Sequence, residues 1–185
     1  MHSPASTVAR RTLITGGVRS GKSRHAEELL SGAPAVTYIA PGQVPDPVAD
    51  PDWADRVAQH QARRPAHWTT VETSDVAAAV AAAEGALLLD CLGTWVTAVV
   101  DELDGWNRPA PTWRADFDSR TAALTQAWAA ASGPLVAVTN EVGMGVVPAH
   151  ASGRLFRDLL GTVNQQVAAV CDDVLLVVAG RVLRL

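Results

Sequence analysis

The chain has 185 residues, 48% hydrophobic and 18% charged, with a formal net charge of −4; this is enough apolar material for one sizeable core. The acidic balance leaves no basic footprint for nucleic acid or an anionic membrane, and no apolar run approaches the ~20 residues of a membrane span. Two cysteines, Cys91 and Cys171, make neither a disulfide framework nor a metal cluster. The expectation is a cytoplasmic protein whose partner is a small molecule.

In chain order, residues 1–10 read as a flexible extension and 11–185 as a single domain. A short apolar run of buried-strand length at Thr12–Thr15 precedes a glycine-rich turn and a helical pattern at Lys22–Leu30. A strand is expected at Ala35–Ile39, then a surface loop at Pro41–Pro51 with four prolines, then helices at Trp53–Arg63 and Ser74–Glu84. Ala86–Asp90 reads as a strand, Leu92–Leu103 as a helix, Gly105–Pro111 as a loop and Thr112–Ala131 as a helix. Leu135–Thr139 is a strand and Ser152–Val170 a helix. Val174–Val178, Ala179-Gly180 and Arg181–Leu185 form a hairpin with an antiparallel edge strand. This alternation predicts an α/β fold, a mostly parallel central sheet flanked by helices.

The run Gly16-Gly17-Val18-Arg19-Ser20-Gly21-Lys22-Ser23 fits G-x-x-x-x-G-K-[ST] between a strand and a helix, the context a P-loop requires. Its backbone N–H groups would wrap phosphates, Lys22 would reach the β and γ phosphates, and Ser23 would bind Mg2+. Lys22 is also the one lysine beside fourteen arginines, which marks a position where a compact ammonium is needed. A second magnesium handle is expected at the end of a hydrophobic strand, and Leu87-Leu88-Leu89-Asp90 supplies it. The lesser alternative is that Asp90 caps the next helix, and both roles can coexist. Thr139-Asn140-Glu141 ends another strand at the same sheet edge. Its carboxylate could orient a nucleophile or only form a turn.

There are five histidines. His25, three residues beyond Lys22, is expected to point away from the phosphates. His60 lies in Arg56-Val57-Ala58-Gln59-His60-Gln61-Ala62-Arg63-Arg64-Pro65, where neighbouring guanidinium groups would favour neutral imidazole and could hold phosphate oxygens. Spacing alone leaves this segment open as a basic surface turn.

These segments together resemble the bifunctional adenosylcobinamide kinase / adenosylcobinamide-phosphate guanylyltransferases of cobalamin biosynthesis. The carriers are TGGVRSGKSRHAE (Thr15–Glu27), YIA (Tyr38–Ala40), RVAQHQARRPAHW (Arg56–Trp68), LLLDCLGTWV (Leu87–Val96), TNEVGMGVVP (Thr139–Pro148) and GRLFRDLLGTVNQ (Gly153–Gln165). The resemblance implies a P-loop nucleoside triphosphate hydrolase-like fold. It implies phosphorylation of adenosylcobinamide by ATP or GTP, then transfer of GMP from GTP to the adenosylcobinamide phosphate through a guanylylated histidine, which matches His60. Positions associated with nucleotide or metal binding match Gly16 to Ser23, the loop residues Pro41, Gly42 and Gln43, then Gln61, Ala62, Arg63 and Arg64, and Glu72 and Asp90, with Mg2+ at Ser23 and Asp90. Pro41 stands where the family usually has Thr, which removes a hydroxyl and an N–H. A homo-oligomer, a trimer, is implied as well.

Nucleotidyl transfer through a lysine phosphoramidate is not open to a chain whose one lysine sits in the P-loop, which leaves histidine as the available nitrogen. The competing readings are a P-loop kinase without guanylyl transfer and a non-catalytic nucleotide-binding switch; the guanine-reading N-K-x-D of regulatory GTPases is missing. Trp53, Trp68, Trp95, Trp106 and Trp113 could meet a corrinoid, or fill core and interface.

Overall fold

The apolar runs become the middle of a seven-stranded sheet. In this computed structural model, which describes residues 11–42 and 46–185, the sheet follows the order β3-β2-β4-β5-β1-β6-β7. Its strands are β1 (Arg11–Gly16), β2 (Val36–Ala40), β3 (Trp68–Glu72), β4 (Ala86–Asp90), β5 (Leu135–Val138), β6 (Asp173–Val178) and β7 (Arg181–Arg184). The helices are α1 (Lys22–Leu30), α2 (Pro51–Arg63), α3 (Val76–Ala82), α4 (Leu92–Glu102), α5 (Arg114–Ala130) and α6 (Ala151–Ala168), with a 3-10 turn at Ala110–Thr112. The expected extension 1–10 and Gln43 lie outside the described residues, as do the side chains of Trp53 and Arg56.

All strand pairs are parallel except β6–β7. Central strands are covered on both faces, which is why they read as unbroken apolar runs. Along β4 the side chains alternate: Leu87 and Leu89 join the core with α3 to α6, and Leu88 joins the opposite core with α1, Tyr38 and Trp68. Trp68, Trp95 and Trp113 are 8%, 2% and 1% exposed, so they belong to the core and are not a corrinoid platform. The Trp106 indole packs on the core edge and donates to Asp101.

One strand was not legible. β3 has the burial pattern of an edge strand, with Thr69, Thr70 and Glu72 exposed, so it shows no apolar run. It pairs with β2 from Val36↔Trp68 to Ala40↔Glu72 and thereby carries Glu72 to the carboxyl edge of the sheet. In the strand order β4 is not beside β1, because β5 lies between them. The C-terminal hairpin forms as expected, with Ala179 and Gly180 at φ 50 and 75, a two-residue turn that matches strand twist. Among the described residues, no helix is long and apolar enough to cross a membrane.

Candidate active site

At the carboxyl edge β1 runs into the glycine-rich loop and α1. Gly16 has no room for a side chain: a Cβ there would lie 2.4 Å from the Val177 carbonyl oxygen on β6. Gly21 has φ 100 just before α1, a left-handed backbone that glycine adopts without strain. The hairpin tip braces this turn, with Gly180 N–H donating to the Ser20 carbonyl at 2.8 Å. Lys22 Nζ donates back to the Gly17 carbonyl at 3.1 Å. Burial lowers the Lys22 pKa, against the opposing influence of Cys91 and Asp90. The Ser20 hydroxyl is buried without a hydrogen-bond partner among the described residues, as suits a loop shaped for an anion.

Across from this loop stands the end of α2. His60 Nδ1 is 3.8 Å from Asp90 Oδ2 and accepts from the Arg63 guanidinium at 3.3 Å. Arg63 in turn donates to both carboxylate oxygens of Glu27 on α1, at 3.4 and 3.3 Å. Burial lowers the His60 pKa, aided by Arg63 and Arg64 and opposed by Asp90 and Glu27, so the ring is held toward its neutral form. Asp90, at the end of β4, also accepts the Tyr38 hydroxyl at 3.1 Å. Burial, with Asp90 beside it, pushes the Tyr38 pKa far above the ordinary phenol value, which leaves Tyr38 a fixed donor. Arg64 stacks on the Tyr38 ring with its guanidinium carbon 3.5 Å from the centroid, and donates to Thr70 at 3.1 Å.

These groups line one cleft of about 1070 Å³. It gathers Val18, Arg19, Ser20, Gly21, Lys22 and Ser23 from the loop, Gly42, then His60, Gln61, Arg63 and Arg64 from the α2 end, with Glu72 and Asp90 from the strand ends. Gly16, Gly17 and Ala62 are not on the cleft lining, and Pro41 is buried beside it; Gly16 packs the back of the loop against β6, whereas Gly17 is exposed. A smaller cavity of about 480 Å³ adjoins it, lined by Gln61, Arg64, Pro65, Trp68, Thr70 and Glu72 among others.

One expectation is corrected, and one alternative left open by the sequence is decided. His25 does line the cleft, beside Glu28 at 3.9 Å, because the start of α1 turns that face toward the opening. Glu141 is a turn former: its carboxylate accepts from Gly143 N–H at 2.6 Å. The residue before it, Asn140, lines the cleft instead, since Glu141 N–H pairs with the Gly16 carbonyl at 3.1 Å and extends the chain along the loop. Glu27, Tyr38, Thr94 and Asn140 were not singled out as site residues by sequence reasoning. Tyr38 carried a usable signal, being the sole tyrosine of the chain, and Asn140 carried another in its place at a strand end on the carboxyl edge; Glu27 and Thr94 carried none.

Ser23 and Asp90, one hydroxyl and one carboxylate, both face the cleft. Such a sparse oxygen set suits Mg2+, which keeps waters and phosphate oxygens as its other ligands. Among the described residues there is no group of three metal-binding side chains.

Comparison with known proteins bears on the fold and on the family. The solved structures with a similar fold include a prototypical ATPase from the type III secretion system of pathogenic bacteria, with a TM-score of 0.55 and 14% identity over 91% of this chain and 52% of that one. The ATPase EscN of enteropathogenic E. coli gives a TM-score of 0.51, again with 14% identity, over 92% of this chain and 43% of that one. At this identity the likeness concerns the fold alone. The chain is 44% identical over 177 residues to the bifunctional adenosylcobalamin biosynthesis protein CobU of Salmonella typhimurium, covering 91% of this chain and 95% of that protein. It is 40% identical over 180 residues to the protein of the same name from Escherichia coli K12, covering 91% and 95%. A family profile described as cobinamide kinase / cobinamide phosphate guanyltransferase matches residues 12–185. A P-loop, a histidine on the facing helix and a match over nearly the whole chain thus lead to one assignment: the chain belongs to the cobinamide kinase / cobinamide phosphate guanyltransferase family.

Proposed function

We propose that one cleft serves both reactions of this cobinamide kinase and cobinamide phosphate guanylyltransferase of adenosylcobalamin biosynthesis. In the first, the adenosylcobinamide hydroxyl takes the γ-phosphoryl group of ATP or GTP. Loop N–H groups and Lys22 hold the phosphates and stabilise the charge that spreads over them. Ser23 and Asp90 are the residues that would hold Mg2+, which when bound neutralises charge between the β and γ phosphates.

In the second reaction His60 attacks the α phosphorus of GTP, pyrophosphate leaves, and an oxygen of adenosylcobinamide phosphate then takes the GMP group. The observation that carries this reading is the approach of His60 to Asp90, at 3.8 Å on the cleft that also holds Lys22. Gln61, Arg63, Arg64, Gly42 and Glu72 line the same space and are assigned to the nucleotide. Pro41 and Ala62, which do not line it, are assigned a shaping role only, Pro41 in the loop after β2 and Ala62 within α2. Gln43 is kept as a nucleotide contact on the resemblance alone. An assembly of several copies, a trimer by the same resemblance, is supported by the open β7 edge, where Leu183 and Leu185 are 58% and 69% exposed. A cytoplasmic location agrees with this soluble-substrate chemistry.

The deciding experiment uses GTP labelled in the α phosphate with Mg2+, followed by isolation under denaturing conditions. Label that survives alkali, is lost in acid and is missing from His60→Ala supports the transferase role of His60. Label retained in His60→Ala would move the nucleophile elsewhere, and an unlabelled wild-type protein would remove the covalent step.

A further inference from the structure

The contact between Arg63 and His60 selects between the two ring nitrogens. A guanidinium has N–H donors and no acceptor, so its approach to His60 Nδ1 at 3.3 Å requires a lone pair on Nδ1. In the neutral ring the proton then sits on Nε2. Arg63 is fixed in this place by Glu27, whose two carboxylate oxygens it meets at 3.4 and 3.3 Å. Glu27 lies on the helix that starts with Lys22, and its side chain is 13% exposed. The pair therefore ties the end of α2 to the element behind the phosphate loop. The competing arrangement would have Nδ1 carry the proton and donate it to Asp90, but those atoms are 3.8 Å apart, beyond hydrogen-bond length.

We infer that Nδ1 is the atom of His60 that takes the guanylyl group, and that Glu27, acting through Arg63, is the positioning residue that keeps Nδ1 unprotonated. This rests on the reading of His60 as the guanylylated residue and adds which nitrogen reacts and what sets it. As GTP enters, the Arg63 N–H turns from Nδ1 to an α-phosphate oxygen, a stronger charge-assisted partner. The Nδ1 lone pair forms the bond to the α phosphorus. The bond from that phosphorus to the bridging oxygen breaks, and pyrophosphate leaves with the electron pair. The proton stays on Nε2, so the substituted ring is cationic and a good leaving group. In the second half an oxygen of the cobinamide phosphate bonds to the phosphorus, the Nδ1–P bond breaks, and its electron pair returns to Nδ1. No ring proton moves in either half.

The test is the regiochemistry of the adduct. Enzyme carrying histidine isotope-labelled at Nδ1 alone, or at Nε2 alone, is guanylylated with GTP and Mg2+, trapped in alkaline denaturant and read by phosphorus NMR. One-bond phosphorus–nitrogen coupling is expected only in the Nδ1-labelled sample. Coupling only in the Nε2-labelled sample overturns this inference and leaves His60 as the guanylylated residue, whereas no adduct on His60 overturns both readings. Nitrogen NMR of the nucleotide-free enzyme supplies the second measurement. Wild-type His60 should show the Nε2-protonated pattern, with the two ring shifts exchanging places toward the Nδ1-protonated pattern in Glu27→Gln and returning in Glu27→Asp. A wild-type ring protonated on Nδ1 overturns the inference without any variant, and an unchanged tautomer in folded Glu27→Gln removes Glu27 from the selection.

Discussion

Tyr38 donates its hydroxyl to Asp90 Oδ2 at 3.1 Å across 52 residues of sequence, and the face of the same ring carries the Arg64 guanidinium. One buried side chain thus orients both an acid and a cation of the cleft. The acid comes from β4 and the cation from the segment that follows α2.

Tyr38→Phe removes the hydroxyl and keeps the ring under Arg64. The expected cost is about 1 kcal/mol of stability, read in urea unfolding, together with a higher Mg2+ concentration for half-maximal kinase rate, because Asp90 loses the donor that orients it. An unchanged magnesium dependence would separate Asp90 from the metal.

Lys22→Arg should lose cobinamide phosphorylation nearly as fully as Lys22→Ala, by about a hundredfold or more. The ammonium sits 3.1 Å from the Gly17 carbonyl inside the turn, where a planar guanidinium has a different shape and reach. Initial rates with saturating nucleotide decide this; a Lys22→Arg enzyme within tenfold of wild type would mean that charge alone suffices.

Gly16 and Gly17 are neighbours with opposite tolerance. A Cβ at Gly16 meets the Val177 carbonyl oxygen at 2.4 Å and the Ser20 hydroxyl at 2.8 Å, whereas one at Gly17 meets nothing within 4 Å. Gly16→Ala should cost about 1–3 kcal/mol and weaken nucleotide binding with it. Gly17→Ala should leave the melting temperature nearly unchanged, and equal melting temperatures for the two variants would contradict the packing behind the loop.

The acid limb of guanylyl-enzyme formation should lie below about 6.5, the ordinary histidine value, because burial lowers the His60 pKa in the folded enzyme. Arg63 also lowers it and Glu27 raises it, so Arg63→Gln should move the limb upward. The stability effect has a definite sign. The unfolded chain takes the proton first, so the contribution of neutral His60 is intact above about 6.5 and falls as pH drops through the lower folded value. Rapid-quench rates over pH check the first statement, and the difference between wild type and His60→Gln in unfolding at several pH values checks the second.

The buried strands β1, β2, β4, β5 and β6, the phosphate loop and the hairpin were all legible in the sequence. Each is declared within a few residues, by an apolar run of strand length, by glycine spacing or by a two-residue turn. His60 stood out for its arginine neighbours, and Lys22 for being alone. β3 was hidden because an edge strand with exposed threonines needs no apolar run. Glu27 and the Tyr38–Asp90 bond were hidden for a different reason. Their partners arrive from elements distant in sequence, brought together by the placing of β5 between β4 and β1 and of β2 beside β4. Local chemistry therefore determined which strands, helices and phosphate ligands this chain possesses. Strand order and register, which depend on packing the whole sheet, decided that Asp90 faces His60 and that Glu27 holds Arg63 against it.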